Sequence, residues 1–145
     1  MILYCATSNP GKLREFQLAA ERLAGPDLHV ETVPGLSALE APEETATTFA
    51  GNAALKAMYY SRHAPGPVFA DDSGLEVDAL DGAPGVYSAR YAGPDATDAG
   101  NNALVLERML AKEDRTARFV CVIALAEGGR LIETFEGRVE GVLLE

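Results

Sequence analysis

The sequence contains few of the residues from which several common kinds of site are built. Only two histidines and two cysteines occur among its 145 residues. Neither His29 nor His63 stands in a metal-ligand or triad pattern, and no cysteine–histidine pairing suggests a zinc site or a cysteine nucleophile. Cys5 and Cys121 lie in apolar, strand-like segments, which favours two buried free thiols in a reducing cytoplasm.

Positive charge and long apolar runs are scarce as well. Twelve Lys and Arg residues stand against 22 Asp and Glu residues, which gives a formal net charge of −10. This balance argues against a surface for DNA or RNA, although a few lysines with Mg²⁺ could still bind one nucleotide. No uninterrupted apolar run reaches the roughly 18 residues of a membrane span, and the apolar start of the chain lacks a basic leader.

The remaining composition indicates a globular domain. A chain of 145 residues with 48% apolar content can bury a core, and we expect a single domain over residues 1–145. Hydrophobic periodicity and turn residues predict three helices, near 11–24, near 48–62, and from a start between 95 and 98 to about 112. Strands are predicted at 2–7, 29–33, 68–70, 117–126 and 130–139. This order predicts an α/β fold with a mixed twisted sheet flanked by helices, ending in an elongated C-terminal β-hairpin.

Two adjacent carboxylates, Asp71 and Asp72, follow the apolar run at 67–70 and precede Ser73 and Gly74. We interpret the run as a buried strand whose carboxyl end opens onto a site. Adjacent acids repel each other, and a divalent cation such as Mg²⁺, which prefers oxygen ligands, would relieve that repulsion. The alternative is a solvated turn or a helix N-cap.

Residues 7–12, with the sequence Thr-Ser-Asn-Pro-Gly-Lys, join the first predicted strand to the first helix. Free backbone N–H groups, the helix dipole and the space left by Gly11 suit a phosphate, and Lys12 would add a point charge. The Walker A spacing is absent. An ordinary strand–helix turn, capped by Ser8 or Asn9 and with Lys12 at the solvated surface, is the alternative interpretation.

Three further groups are candidates for a polar site. Asn52 and Lys56 are four residues apart and share a helix face that could meet a ligand, unless Lys56 only reaches water over an apolar surface. Glu43 and Glu44 precede that helix, and either could bind a metal or merely favour the helix N-terminus. Glycines and a proline fix a turn in residues 82–91, where Arg90 suits a phosphate, a carboxylate or a partner subunit.

These segments, in this order, resemble the inosine triphosphate pyrophosphatase family, which hydrolyses non-standard purine nucleoside triphosphates. The resemblance covers essentially the whole chain, and its most specific parts are Asp-Asp-Ser-Gly at 71–74 and Gly-Ala-Pro-Gly at 82–85. It implies an ITPase-like fold and hydrolysis of ITP, dITP and XTP to the monophosphate and pyrophosphate, which removes them from the nucleotide pool. It also implies a cytoplasmic homodimer with residues 82–91 as the contact.

The resemblance further implies a role for each matching polar residue. Asp72 would orient or deprotonate the water that attacks the α-phosphorus, and Lys56 would neutralise charge on the leaving pyrophosphate. Mg²⁺ would be held by Glu44 and Asp72, with help from Asp71. The remaining matches would bind the substrate: Thr7, Ser8, Asn9, Pro10, Gly11, Lys12, Asn52 and Ser73.

Family members continue past the last residue of this chain with a Phe-Gly-Tyr-Asp-Pro segment, a lysine and a Ser-His-Arg segment that hold the purine base. From the resemblance we expect residues 1–145 to be C-terminally incomplete and the base pocket to be incomplete with them. Two alternatives stay open. One is a non-catalytic nucleotide-binding or dimerisation module, and the other is a related pyrophosphatase for other modified nucleotides, whose first motif typically differs from that at 7–12.

Overall fold

The computed structural model describes all 145 residues, Met1–Glu145. The strands are β1 (Ile2–Cys5), β2 (His29–Thr32), β3 (Val68–Val77), β4 (Thr116–Glu127) and β5 (Arg130–Val142). The helices are α1 (Pro10–Ala24), α2 (Phe49–Ser61) and α3 (Asp98–Arg108). All five strands belong to one sheet in the order β2-β1-β3-β4-β5, and β1 pairs in parallel with both β2 and β3. None of the helices is both long and apolar enough to cross a membrane.

The predicted hairpin is confirmed. A two-residue turn, Gly128-Gly129, joins β4 to β5, so these strands run antiparallel and the sheet is mixed. The φ angles of Gly128 and Gly129 are 59° and 84°, the left-handed values that the twist of a two-residue hairpin demands and that glycine adopts without a steric penalty. The mixed α/β sheet expected from the element order is therefore the observed fold.

The strand that carries the paired acids differs from the prediction. The sequence suggested that it ends at Ala70, but β3 continues to Val77 and includes Asp71 and Asp72 as ladder residues. These two are only 7% and 8% exposed, so they form neither a solvated turn nor a helix cap. In the sheet order β3 lies between β1, which pairs with it at Val68 and Phe69, and β4, and this position overrides the low strand propensity of aspartate.

The third helix is also shorter than predicted. It ends at Arg108 rather than near Lys112, and the following turn includes Ala111 with a left-handed φ of 64°. Helical periodicity in the sequence continued past the point where the backbone leaves the helix, and helix ends are the least certain part of such a pattern.

The chain divides into two compact units. The first comprises Met1–Ala46, Ala50–Asp71 and Ile123–Phe135, and the second comprises Thr47–Phe49, Asp72–Val122 and Glu136–Glu145. Each unit has its own buried apolar residues. In the first they form two clusters, one of Cys5, Val30 and Phe69 and one of Val33, Tyr60 and Val68. In the second they are Val77, Val105, Met109 and Ala117. That residues 1–145 fold as one domain stays a prediction.

Candidate active site

The loop at 7–12 begins α1 with a side-chain cap. The Oδ1 of Asn9 accepts hydrogen bonds from the backbone N–H groups of Gly11 and Lys12 at 2.9 and 3.2 Å. The backbone N–H of Asn9 itself donates to Thr7 Oγ1 at 3.2 Å, and Pro10 has no N–H to offer. Asn9 is therefore the helix cap that the alternative interpretation named, and the backbone N–H groups of Gly11 and Lys12 are engaged by it rather than free.

Lys12 reaches from α1 to β3. Its Nζ lies 2.8 Å from Oδ2 of Asp71, so the alternative in which Lys12 is only a solvated surface residue is wrong. A buried carboxylate loses its hydration, and the ammonium compensates for that loss. The negative charge of Asp71 and, to a greater extent, burial raise the pKa of the nearby Cys5 to about 12. That thiol stays protonated and unreactive at neutral pH.

A second ion pair joins α2 to the segment before it. Lys56 Nζ lies 2.8 Å from Glu44 Oε1, and both side chains are half-buried. Lys56 therefore does not simply extend into water over an apolar surface. Asn52, one turn earlier on the same face of α2, is fully buried and hydrogen-bonds to the backbone of Ala46. As predicted, Asn52 and Lys56 share a helix face, and both of them contact the segment that contains Glu44.

In the second unit, β3 is fastened to the turn at 82–91. The Oγ of Ser88 accepts the backbone N–H of Leu75 at 2.9 Å and donates to the carbonyl of Gly85 at 2.6 Å. A Cβ on Gly74 would lie 2.5 Å from both Gly85 O and Ser88 Oγ, so only glycine fits there. Asp72 and Ser73 stand immediately before this contact on β3.

The same turn is held from its other end by α3. The carboxamide of Asn101 donates to the carbonyl of Ala89 at 3.0 Å and accepts the N–H of Ala92 at 2.9 Å. Arg90 stacks over the ring of Tyr87, with 5.3 Å from its guanidinium carbon to the ring centroid. Nothing in the sequence around Asn101 indicates this role, since a lone amide in a helix carries no local signal of a distant contact.

An open cavity of about 780 Å³ lies within the second unit. Ser73, Ser88 and Asn101 are on its wall, together with apolar side chains that include Val105 and Phe119. Ser73, which the sequence predicted to bind substrate, is exposed on the face of β3 opposite to that of its buried neighbours Asp72 and Gly74.

The carboxylates of the predicted metal site have the chemistry that Mg²⁺ requires. Glu44, Asp71 and Asp72 offer only hard oxygen donors, and Mg²⁺ in proteins usually takes one or two carboxylates and completes its shell with water and phosphate oxygens. No group of three or more His, Cys, Asp or Glu side chains is arranged to hold a metal by itself. Glu44 and Asp71 each face a lysine ammonium at 2.8 Å. The donor set therefore fits an ion that arrives with a phosphate ligand.

Sequence comparison identifies relatives of the whole chain. A family model described as the Ham1 family matches residues 3–145. The dITP/XTP pyrophosphatase of Acidobacterium capsulatum is 49% identical over 153 residues, which cover 99% of this chain and 74% of that protein. A dITP/XTP pyrophosphatase of Thermus thermophilus is 50% identical over 147 residues, which cover 100% of this chain and 69% of that protein.

Solved structures agree with these sequence matches. The Staphylococcus aureus Ham1 protein has a TM-score of 0.86 and 38% identity, covering 99% of this chain and 72% of its own. A HAM1 protein from Coxiella burnetii has a TM-score of 0.85 and 38% identity, covering 98% of this chain and 72% of its own. The similarity therefore spans the loop at 7–12, the acids of β3 and the turn at 82–91 in both sequence and fold.

Proposed function

The chain belongs to the Ham1 family, and we propose that it hydrolyses dITP, XTP and ITP to the nucleoside monophosphate and pyrophosphate. The observation that carries this proposal is the pairing of two lysines with two carboxylates in the first unit, Lys12 with Asp71 and Lys56 with Glu44. Cleavage of a metal-bound triphosphate needs cations for the phosphate oxygens and carboxylates for the metal. Two proteins that are about half identical to this one are named dITP/XTP pyrophosphatases.

In the proposed reaction, water attacks the α-phosphorus and the bond from that phosphorus to the α,β-bridging oxygen breaks. Asp72 orients the water and accepts its proton, and the electron pair of the broken bond leaves with pyrophosphate. Lys56 neutralises the charge that develops on that leaving group. Mg²⁺, held by Glu44, Asp71 and Asp72, would supply charge neutralisation for the triphosphate when bound.

The substrate is held by the loop before α1 and by the segment after the paired acids. Hydroxyl, amide and ammonium groups in the loop bind phosphate oxygens, and Pro10 and Gly11 shape the backbone between them. The residues assigned to this task are Thr7, Ser8, Asn9, Pro10, Gly11, Lys12 and Ser73. Positioning and electrostatic stabilisation supply most of the rate enhancement in such phosphoryl chemistry, because the protein forms no covalent intermediate.

We propose a homodimer that works on the cytoplasmic nucleotide pool. Tyr87 in the turn at 82–91 is a largely exposed aromatic side chain beside Arg90, and both residue types are common in protein interfaces. Both cysteines are free, which is the usual state of thiols in a reducing compartment.

The test is pyrophosphate release from dITP, ITP and XTP beside dGTP, GTP and ATP, with Mg²⁺ and with EDTA. We expect Mg²⁺-dependent release from the first three, and we expect Asp72→Asn to lower the rate at least about 100-fold because it removes the base and a metal ligand. The Thermus thermophilus dITP/XTP pyrophosphatase serves as the positive control. Tight nucleotide binding without turnover, or near-normal turnover by Asp72→Asn, would overturn the proposal.

A further inference from the structure

Asn52 satisfies both backbone groups of a single residue in the segment before α2. Its side chain has no exposed surface (0%), its Oδ1 accepts the N–H of Ala46 at 2.9 Å, and its Nδ2 donates to the carbonyl of Ala46 at 3.4 Å. Ala46 is half-buried, and a backbone N–H or carbonyl that is shielded from water is costly to leave without a partner. Removing this carboxamide would therefore release Ala46 from α2.

The segment held in this way belongs to no helix or strand. Residues 41–46 have no regular secondary structure, so their position depends on side-chain contacts rather than on a backbone ladder. Glu44, two residues before Ala46, meets Lys56 at 2.8 Å, and Lys56 lies one turn after Asn52 on α2. One face of α2 thus holds the segment at two points. Asn52 binds the backbone of Ala46, and Lys56 binds the carboxylate of Glu44.

We propose that Asn52 is a positioning residue, which holds Ala46 so that the carboxylate of Glu44 is presented to Lys56 and to Mg²⁺, and that it does not touch the phosphates. This replaces the substrate contact expected from the sequence, because both ends of the carboxamide already bond to Ala46. It rests on the proposed function in one respect, namely that Glu44 is taken to bind the metal.

The test compares metal affinity with nucleotide affinity in Asn52→Ala. Mn²⁺ binding is followed by loss of the free-ion EPR signal in the presence of an α,β-methylene analogue of dITP. Binding of the analogue alone is measured by calorimetry in EDTA. We expect the apparent Kd for Mn²⁺ to rise about tenfold, as for loss of an outer-shell partner of a metal ligand. Analogue affinity without metal should stay within about twofold, since no phosphate contact is lost.

Two controls separate positioning from general loosening. Asn101→Ala removes an amide that is also buried and also spans two backbone groups, but in a segment with no proposed metal ligand, so it should leave Mn²⁺ affinity unchanged. In a Glu44→Gln background, Asn52→Ala should have no further effect on Mn²⁺ affinity, because residues that act through one another are not additive. If Asn52→Ala does not fold, Asn52→Asp, which keeps the acceptor for the Ala46 N–H, replaces it in both comparisons.

Three results would overturn the inference. Full additivity with Glu44→Gln, or an equal loss of Mn²⁺ affinity in Asn101→Ala, would reduce Asn52 to a structural residue. A large loss of analogue affinity in EDTA would make it a phosphate ligand. If the wild-type chain neither binds Mn²⁺ with the analogue nor releases pyrophosphate from dITP, the proposed function itself fails, and that result is distinct from the other three.

Discussion

In the first unit, the side chains of Lys12 and Asp71 each have two possible partners. Lys12 neutralises Asp71 in this structure, yet it is also the cation proposed for the phosphates, and Asp71 is proposed to help hold the metal. Such a pair keeps a nearly buried carboxylate compensated until substrate and metal arrive. The sequence could indicate that Lys12 and Asp71 matter, but they are 59 residues apart, and only the parallel pairing of β1 with β3 brings them together.

If Lys12 and the metal compete for Asp71, one substitution should change the affinity for Mn²⁺ and the affinity for the nucleotide in opposite directions. Lys12→Met removes the cation that competes for Asp71, so the protein alone should bind Mn²⁺ more tightly than the wild type. The affinity for the dITP analogue should fall about tenfold or more, as for loss of one charge-assisted bond. EPR and calorimetry measure the two affinities, with the exposed Lys112→Met as the matched control. A weaker affinity for both Mn²⁺ and the analogue would show that Lys12 does not compete for the carboxylate.

Among the elements, β3 is the strand in which the structure departs most from the sequence pattern. Its middle passes through two acids, a serine and a glycine, a composition more typical of a turn than of a central strand. Besides its place in the sheet, this part of the strand is fastened by the contact of Gly74 and Leu75 with the turn at 82–91 through Ser88. Ser88 lies 13 residues after Leu75, so the strand propensities of neighbouring residues carry no information about this contact. The predicted end of the strand at Ala70 is therefore too early.

The close contact predicts a specific loss of stability in Gly74→Ala. The new Cβ would lie 2.5 Å from a backbone oxygen and from Ser88 Oγ, and 3.0 Å from a ring carbon of Phe49, so the turn would have to move. We expect a loss of about 1–3 kcal/mol in the free energy of unfolding, as for overpacking of a filled site. Gly137→Ala on β5, where a Cβ meets nothing within 4 Å, should change it by less than about 0.5 kcal/mol.

Urea denaturation of the two variants beside the wild type measures both values. Equal midpoints for the two alanine variants would mean that the turn at 82–91 yields easily and does not hold β3. A lower midpoint for Gly74→Ala alone would show that the end of the strand depends on this turn.

For the whole molecule, the homodimer is a proposal that the sequence similarity does not test. Two exposed aromatic side chains of similar accessibility offer a comparison, Tyr87 at 54% in the turn and Phe135 at 57% on β5. If the turn at 82–91 is the dimer contact, Tyr87→Glu would replace the aromatic ring by a hydrated carboxylate in the interface and weaken the dimer at least about tenfold. Phe135→Glu should leave the dimer intact.

Sedimentation over a range of protein concentrations measures the dissociation constant of each variant. A wild-type protein that sediments as a monomer at all concentrations would reject the dimer. Dissociation caused by Phe135→Glu alone would move the contact to β5, an edge strand of the sheet that is exposed along almost its whole length.

The sequence by itself determined the order of the elements, the glycine turn of the hairpin, the mixed α/β class and the family. These features depend on periodicity, on residues with special backbone freedom and on motifs read in order, all of which are local along the chain. The tertiary structure alone decided that β3 continues through its acids, that Lys12 meets Asp71, and that Asn52 holds Ala46. Each of these depends on which distant or orphaned polar group a side chain satisfies, and that is fixed only when the chain is folded.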